Sequence, residues 1–393
     1  MSAPFAPGPD AQAHSDRLAA LIRDQVQRNG GSLPFWRFME LALYTPGLGY
    51  YSAGATKLGS GGDFITAPEI GPLFAECIAE AVGPVLSQLG PDAQFLEIGG
   101  GTGAFAEAAL LRLAGMGVVP ARYAILEPSA DLRDRQMQRL AERLPRALAE
   151  RCEWLDGPIQ GPWNGVVFAN EVIDALPTSR FAIHDGEVFE EHVTVEDGRL
   201  VRVDRPADAL LAAAVRHLER ACGAPFADGY RSEVLPQLPY WLQAVVGQLT
   251  SGAMLFVDYG YPRREYYDPR RTDGTLRAFH RHRMVEDVFA RVGLQDVTVS
   301  VDFTALAEAG TGAGFDFQGY ASQAAFLMGN GLAERLAAHE ASAADEVALH
   351  ALRQQVKKLT LPGEMGERFQ VMGFARDASL AHAFLAGDLS HRL

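Results

Sequence analysis

Apolar positions along the chain change period several times. From Phe95 onward, short strand-length runs at Phe95–Ile98, Tyr123–Leu126, Cys152–Leu155, Gly165–Ala169 and Ala253–Val257 alternate with stretches of helical spacing at Ala104–Leu113, Ser129–Leu144, Ala207–Cys222 and Tyr240–Leu249. Strands apolar on both faces, separated by helices, predict a mainly parallel sheet covered on both sides, a doubly wound Rossmann-like α/β fold. Before this series the spacing predicts helices over Ser15–Gly30, Pro34–Leu43 and Ile70–Leu89. Within it, Phe181–Val203 switches to strict alternation around Asp185-Gly186 and Asp197-Gly198, which predicts an inserted antiparallel hairpin. After it, Gly293–Phe303 and Phe315–Tyr320 are candidate last strands, Gln323–Leu359 is helical, and Glu367–Phe374 is a candidate closing strand. The expected organisation is a frayed start (1–14), a helical region covering a site (15–90), a core in two pieces (91–179 and 252–322), an insertion of hairpin and helices (180–251) and a C-terminal addition (323–393).

Composition narrows the classes. The 393 residues are 48% apolar, enough for a sizeable core without staples. The three cysteines, Cys77, Cys152 and Cys222, share no paired spacing, which argues against a disulfide framework or zinc site and for a reducing, cytoplasmic setting. A formal charge of -14 disfavours a nucleic-acid face. The basic strip of Arg277, Arg281 and Arg283 with His280 and His282 is read as a surface or substrate-facing patch, and its histidines lack a third ligand for a metal. No apolar run approaches the roughly 20 residues of a membrane span, so no membrane insertion is expected. Met1–Asp10 lacks the basic and apolar regions of a secretory signal.

Candidate chemistry starts at the end of the first core strand, Glu97-Ile98-Gly99-Gly100-Gly101-Thr102-Gly103. Glycines let backbone approach a ligand closely, but a glycine loop alone also satisfies a loose dinucleotide fingerprint, with Glu127 near the place of a ribose-binding acid. Glu97 separates the two readings. Facing pyrophosphate it would cost on the order of 1–4 kcal/mol, whereas beside an ammonium and a sulfonium it is favourable, so S-adenosylmethionine is preferred over NAD as cofactor. Glu127 can accept from both ribose hydroxyls or serve as a helix-start acid beside Ser129. Asp156, after the third strand, is a candidate for the adenine amino group.

In a doubly wound sheet the loops after strands one and four face each other across the ligand. The fourth strand ends in Asn170-Glu171-Val172-Ile173-Asp174, where the amide and acids either cap a helix or border the methyl acceptor. Carboxylates can orient a guanidinium and concentrate charge on one nitrogen, so Glu171 and Asp174 are the catalytic candidates for a basic acceptor. Asp258, Tyr259 and Tyr261, at the end of the fifth strand, either wall the same pocket or pack.

Six separated segments occur in the order found in the MidA-like methyltransferases: Gly49-Tyr50-Tyr51, Gly62 to Ile70, Glu97 to Gly103, Asn170 to Pro177, Asp258-Tyr259-Gly260 and Gly274-Thr275-Leu276. The resemblance covers roughly Ser32 to Leu327. It implies a class I S-adenosylmethionine-dependent methyltransferase related to the mitochondrial complex I assembly factor, which methylates an arginine on the 49 kDa-type subunit, and hence a protein acceptor. It further implies that Gly99, Gly101 and Gly103 hold the cofactor, Asp63 and Thr66 cover it, and Asn170 and Glu171 border the acceptor. The full cofactor set expected is Asp63, Thr66, Glu97, Gly99, Gly101, Gly103, Glu127, Asp156 and Asn170. Two positions depart from the family: Gly100 replaces a common proline, and Ser300 a common histidine. Another acceptor, a cofactor-binding assembly role and, more remotely, an NAD-dependent oxidoreductase are the alternatives.

Overall fold

The computed structural model describes residues 7–52, 66–281 and 283–393. Its centre is a seven-stranded sheet. We number the strands β1 (Gln94–Ile98), β2 (Arg122–Leu126), β3 (Cys152–Leu155), β4 (Trp163–Asn170), β5 (Leu249–Tyr261), β6 (Asp316–Ser322) and β7 (Phe369–Arg376). The order across the sheet is β6-β7-β5-β4-β1-β2-β3, and Val301–Asp302 adds a short parallel pairing to the end of β5. The pairs from β3 to β5 are parallel, whereas β7 runs antiparallel between β5 and β6.

The sequence dictates why this sheet is buried. Alternate residues of β1 and β4 enter different cores: Phe95, Val166 and Phe168 pack with Phe74 and Phe105 under the helices Leu73–Leu89 and Ala104–Gly115. Leu96, Val167 and Ala169 join Met254, Phe256 and Phe303 on the other face. Two glycines permit close strand approach at the β1–β4–β5 seam. A Cβ on Gly165 would lie 1.9 Å from the Gln94 carbonyl oxygen, and one on Gly252 1.8 Å from that of Gly165.

Three expectations change. The start of the chain is helical from Pro9, within the stretch expected to be frayed, because Pro9 occupies the first helical turn, where it sacrifices no helix hydrogen bond. The closing strand is not an addition at the end: β7 lies inside the sheet, so the C-terminal segment completes the core. Of the two candidate last strands Phe315–Tyr320 enters the sheet as most of β6, while Gly293–Phe303 is divided: Val301–Asp302 pairs with the end of β5 and Asp296–Thr298 joins a separate three-stranded sheet with Arg277–His280 and Arg283–Val285.

The insertion is also larger than a hairpin. Ser179–His184, Glu187–Glu196 and Arg199–Pro206 form a meander that pairs with Arg231–Val234 on one side and, through Glu187–Glu196, with the N-terminal strand Ser32–Pro34. The N-terminal region and the insertion thus share one sheet. A buried ion cluster ties this sheet to the rest. Arg180, fully buried, donates to Glu191 at 3.1 Å, to Glu233, and to Asp273 at 2.7 Å.

Glu233 also accepts from the Thr275 amide at 2.8 Å, Thr275 Oγ1 accepts from the Ser300 amide at 3.0 Å, and the Val299 amide donates to the Asp174 carbonyl at 3.0 Å. The Gly274-Thr275-Leu276 segment is therefore a relay that locates the Asp174 loop. Arg180→Met should cost about 3–5 kcal/mol in urea unfolding, because buried Glu233 loses its counter-charge and buried Glu191 keeps only its contacts to Arg202 and Arg231, at 3.4 and 3.3 Å. A loss below 1 kcal/mol would show that the cluster rearranges freely.

Candidate active site

The carboxyl ends of β1, β2, β4 and β5 open onto a cavity of about 420 Å³. Its lining includes Thr66, Glu97, Gly99, Gly101, Glu127, Asp156, Asn170, Glu171 and Asp174, so distant sequence candidates meet in one place. Gly103 starts the following helix as its N-cap. Asp63 lies outside the described residues.

At the glycine end, the loop takes positive φ at Gly99 (71°), Gly101 (53°) and Gly103 (81°), a backbone region that disfavours side chains. The loop is fixed from behind by Gln136, whose Nε2 donates to the Gly101 carbonyl at 2.8 Å and to Glu127 at 3.3 Å, while its Oε1 accepts from Trp154 at 2.8 Å. A Cβ on Gly100 would sit 2.8 Å from the Ile125 side chain and 3.0 Å from Gln136. In this chain Gly100 therefore allows close packing as well as a looser backbone.

Glu97 and Glu127 are each only 3% exposed. Glu97 accepts from the Tyr123 hydroxyl at 2.7 Å; burial nevertheless pushes its carboxyl up to about 8 against that bond. Glu127 accepts from the amides of Ser129 and Gly101, yet burial raises it to about 7. A buried carboxyl raised by desolvation ionises readily beside a cation, which suits Glu97 to the ammonium of S-adenosylmethionine, while Glu127 offers acceptors to ribose hydroxyls. Asp156 stands at the mouth, its side chain exposed and ion-paired with Arg133 at 2.6 Å. The same arginine donates to the Leu155 carbonyl at 2.6 Å and bridges β2 and β3 at the rim.

At the opposite end, Glu171 has φ 53°, uncommon for a residue other than glycine. Its amide bonds the Val257 carbonyl at 2.9 Å, which fixes the turn, and its carboxyl accepts from Asn170 at 3.1 Å and from the Ala67 amide. Burial, then the neighbouring Asp174 charge, pushes Glu171 up to about 8. Asp174 is 4% exposed and held at about 6, with burial opposed by a 2.6 Å bond from the Tyr259 hydroxyl. Among the described residues Asp174 Oδ1 and Asn170 Oδ1 are buried acceptors without a donor.

Several participants carried little sequence signal. Asp258, foreseen only as another edge acid, accepts the amides of Ile173 and Asp174 at 3.0 and 3.2 Å and that of Tyr259 at 2.9 Å, and thereby clamps the acidic loop to β5. Burial and then the Asp174 charge push its carboxyl well above the usual range. Tyr44, Tyr51 and Asp296 also line the cavity. Only Tyr51 lay in a segment singled out by the family pattern.

The basic strip turns out to be a hairpin that reverses at Arg281 (φ 51°). Arg277 and Arg283 face outward and His280 is buried with Nδ1 on the Leu294 carbonyl; His282 is outside the described residues. Ser300 lines a separate cleft, so the replaced family histidine does not alter this cavity. Among the described residues no cluster of metal-ligand type is present, and no helix is long and apolar enough to cross a membrane.

The raised carboxyls set the pH response of the ligand-free protein. A carboxyl whose folded-state pKa lies above its unfolded one makes the fold bind more protons, so stability falls as pH rises through the window between the two values. For Glu97, Glu127, Glu171 and Asp174 this window runs from ordinary carboxyl values near 4 to about 8. Each contributes a loss of roughly 1.4 kcal/mol per pH unit while only its unfolded form is ionised. Urea midpoints should therefore be lower at pH 8 than at pH 5; a higher midpoint at pH 8 would refute the assignment.

A sheet in the order β6-β7-β5-β4-β1-β2-β3 with an antiparallel β7, and a glycine loop flanked by buried acids at its parallel edge, define a class I S-adenosylmethionine-dependent methyltransferase. The chain belongs to the Methyltransf_28 family of S-adenosyl-L-methionine-dependent methyltransferases, which its residues 77–321 match. It is 42% identical to a COG1565 superfamily member from Burkholderia thailandensis solved bound to S-adenosyl-homocysteine, with a TM-score of 0.92 over 100% of both chains. A second COG1565 superfamily protein from that organism is 40% identical, with a TM-score of 0.89, again over 100% of both chains. Mouse mitochondrial protein arginine methyltransferase NDUFAF7 is 28% identical over 97% of this chain and 88% of its own. The Drosophila melanogaster homolog is 27% identical over 95% and 88%. The MidA-like resemblance and the choice of S-adenosylmethionine over NAD are borne out.

Proposed function

We propose that the protein methylates an arginine side chain of another protein, with both substrates meeting in the one cavity. The observation that carries this reading is the acidity of the lining: among the described residues Glu69, Glu97, Glu127, Asp156, Glu171, Asp174 and Asp296 line the cavity with one arginine, Arg133. Such a lining favours a cationic acceptor beside a cationic cofactor. The names of the mouse and fly relatives support arginine.

Bound S-adenosylmethionine supplies the electrophilic methyl. Gly99, Gly101 and Gly103 give it backbone access, Glu97 and Glu127 hold its amino-acid and ribose parts, and Thr66 and Asp156 border it. Glu171 and Asp174 receive the guanidinium, and Asn170, which donates to Glu171 at 3.1 Å, lines the same cavity and borders the cofactor. A guanidinium is a poor nucleophile because its lone pairs are delocalised, and aligned carboxylates localise charge on the attacking nitrogen. Their proximity raises the guanidinium pKa, so its proton leaves late, after the methyl has been transferred, to a carboxylate of Asp174 or Glu171 that the bound cation keeps ionised.

The 49 kDa-type subunit of respiratory complex I is the first acceptor to try. Incubation with S-adenosylmethionine followed by peptide mass spectrometry should give methylarginine. Methylation confined to lysine, carboxyl or small-molecule acceptors would overturn the proposal.

A further inference from the structure

The acceptor end has a wall that no family motif assigns a role. Tyr44, at the end of the helix Phe35–Tyr44, and Tyr51 lie in stacked orientation with ring centroids 5.6 Å apart. Each hydroxyl is committed: Tyr44 donates to the Ala175 carbonyl at 2.9 Å, next to Asp174, and Tyr51 donates to Asp296 Oδ1 at 2.9 Å. The stack therefore spans the cavity from the Asp174 loop to the strand Asp296–Thr298. Asp296 is 6% exposed yet lines the cavity, and its strand is held by pairing with Arg277–Phe279.

We propose that Asp296, positioned by Tyr51 and backed by the Tyr44–Tyr51 stack, is a specificity-determining residue that selects a planar guanidinium over an alkylammonium; this rests on the arginine reading above. The argument is geometric and chemical. Glu171 and Asp174 come from one loop and supply charge from one side, which either cation satisfies. Asp296 arrives from a different sheet and adds a carboxylate across the aromatic wall.

A guanidinium carries five N–H donors spread in one plane and can bond carboxylates on separate edges at once while lying against an aromatic surface. An ammonium concentrates three donors at a point and is more strongly hydrated. Tyr44 donates to a carbonyl and makes no claim on the carboxylates, while Tyr51 takes one acceptor position of Asp296 Oδ1 and so orients that group.

The test uses N-butylguanidinium and N-butylammonium, which share charge and tail, titrated into the full-length protein saturated with S-adenosylhomocysteine. The wild type should prefer the guanidinium by about tenfold. Asp296→Asn, which keeps an acceptor for Tyr51 and removes the charge, should erase most of that preference without changing S-adenosylhomocysteine affinity. Tyr51→Phe, which keeps the stack and frees Asp296 from its anchor, should reduce it in part.

Equal binding of the two cations by the wild type, or an unchanged preference in Asp296→Asn, would overturn the inference. Methylarginine formed by a wild type without the preference would leave the arginine reading standing and sink only the role of Asp296. If Asp296→Asn weakens S-adenosylhomocysteine as much as the guanidinium, the residue acts on the whole fold and the inference fails.

Discussion

Gly101→Val should fold and bind S-adenosylmethionine at least about 100-fold more weakly than the wild type, a loss of roughly 2.7 kcal/mol. Two effects add. Gly101 sits at φ 53°, where a β-branched residue is strained by about 1–2 kcal/mol, so the loop would shift toward another backbone conformation. That shift would break the bond from Gln136 to the Gly101 carbonyl and loosen Glu127, which accepts from both Gln136 and the Gly101 amide. The sheet beneath is held by pairings on either side of β1 that do not involve Gly101. Circular dichroism should therefore remain native while calorimetric binding disappears. Affinity within threefold of the wild type would remove the loop from the cofactor site.

The second large effect is a separation of binding from transfer. Glu171→Gln should leave S-adenosylhomocysteine affinity within about twofold and lower the methyl-transfer rate by 100-fold or more, the scale seen when one preorganised electrostatic partner is removed. Glutamine is chosen because it preserves side-chain volume and keeps an oxygen for the Asn170 and Ala67 donors. The loss then reports the missing charge on the acceptor. If transfer survives within a factor of three, Glu171 is a capping residue, as the bland sequence reading allowed. If cofactor affinity falls together with rate, the residue belongs to the cofactor end.

Legibility in the sequence depended on distance along the chain. The parallel strands could be read because burial on both faces leaves continuous apolar runs, and Glu97, the glycines and Glu127 because they sit in short segments at strand ends. Asn170, Glu171 and Asp174 were legible for the same reason. The strand Ser32–Pro34 was not, since three residues cannot display a period and its partner lies in Glu187–Glu196. Nor could the alternation of apolar residues tell that β7 enters between β5 and β6, because strand order is a property of the whole sheet.

Asp296 and Tyr44 show the limit for the site. Each stands at the end of a short element with no motif around it, and only the packing of the N-terminal helices and the small three-stranded sheet against the core brings them to the acceptor end. Asp156 was placed correctly at the end of β3, but its ion pair with Arg133, which leaves it at the rim, depended on a side chain 23 residues away.

The claim that unites both ends of the cavity is that Glu97 at one end and Glu171 at the other are protonated until a cation arrives, and counting protons tests it most directly. Titration of S-adenosylmethionine into the protein at pH 7, in buffers of different ionisation enthalpy, gives the protons released per site. With Glu97 near 8 and Glu127 near 7, the account predicts release of roughly one proton, and less in Glu97→Gln. Binding with no proton release, or with proton uptake, would contradict it.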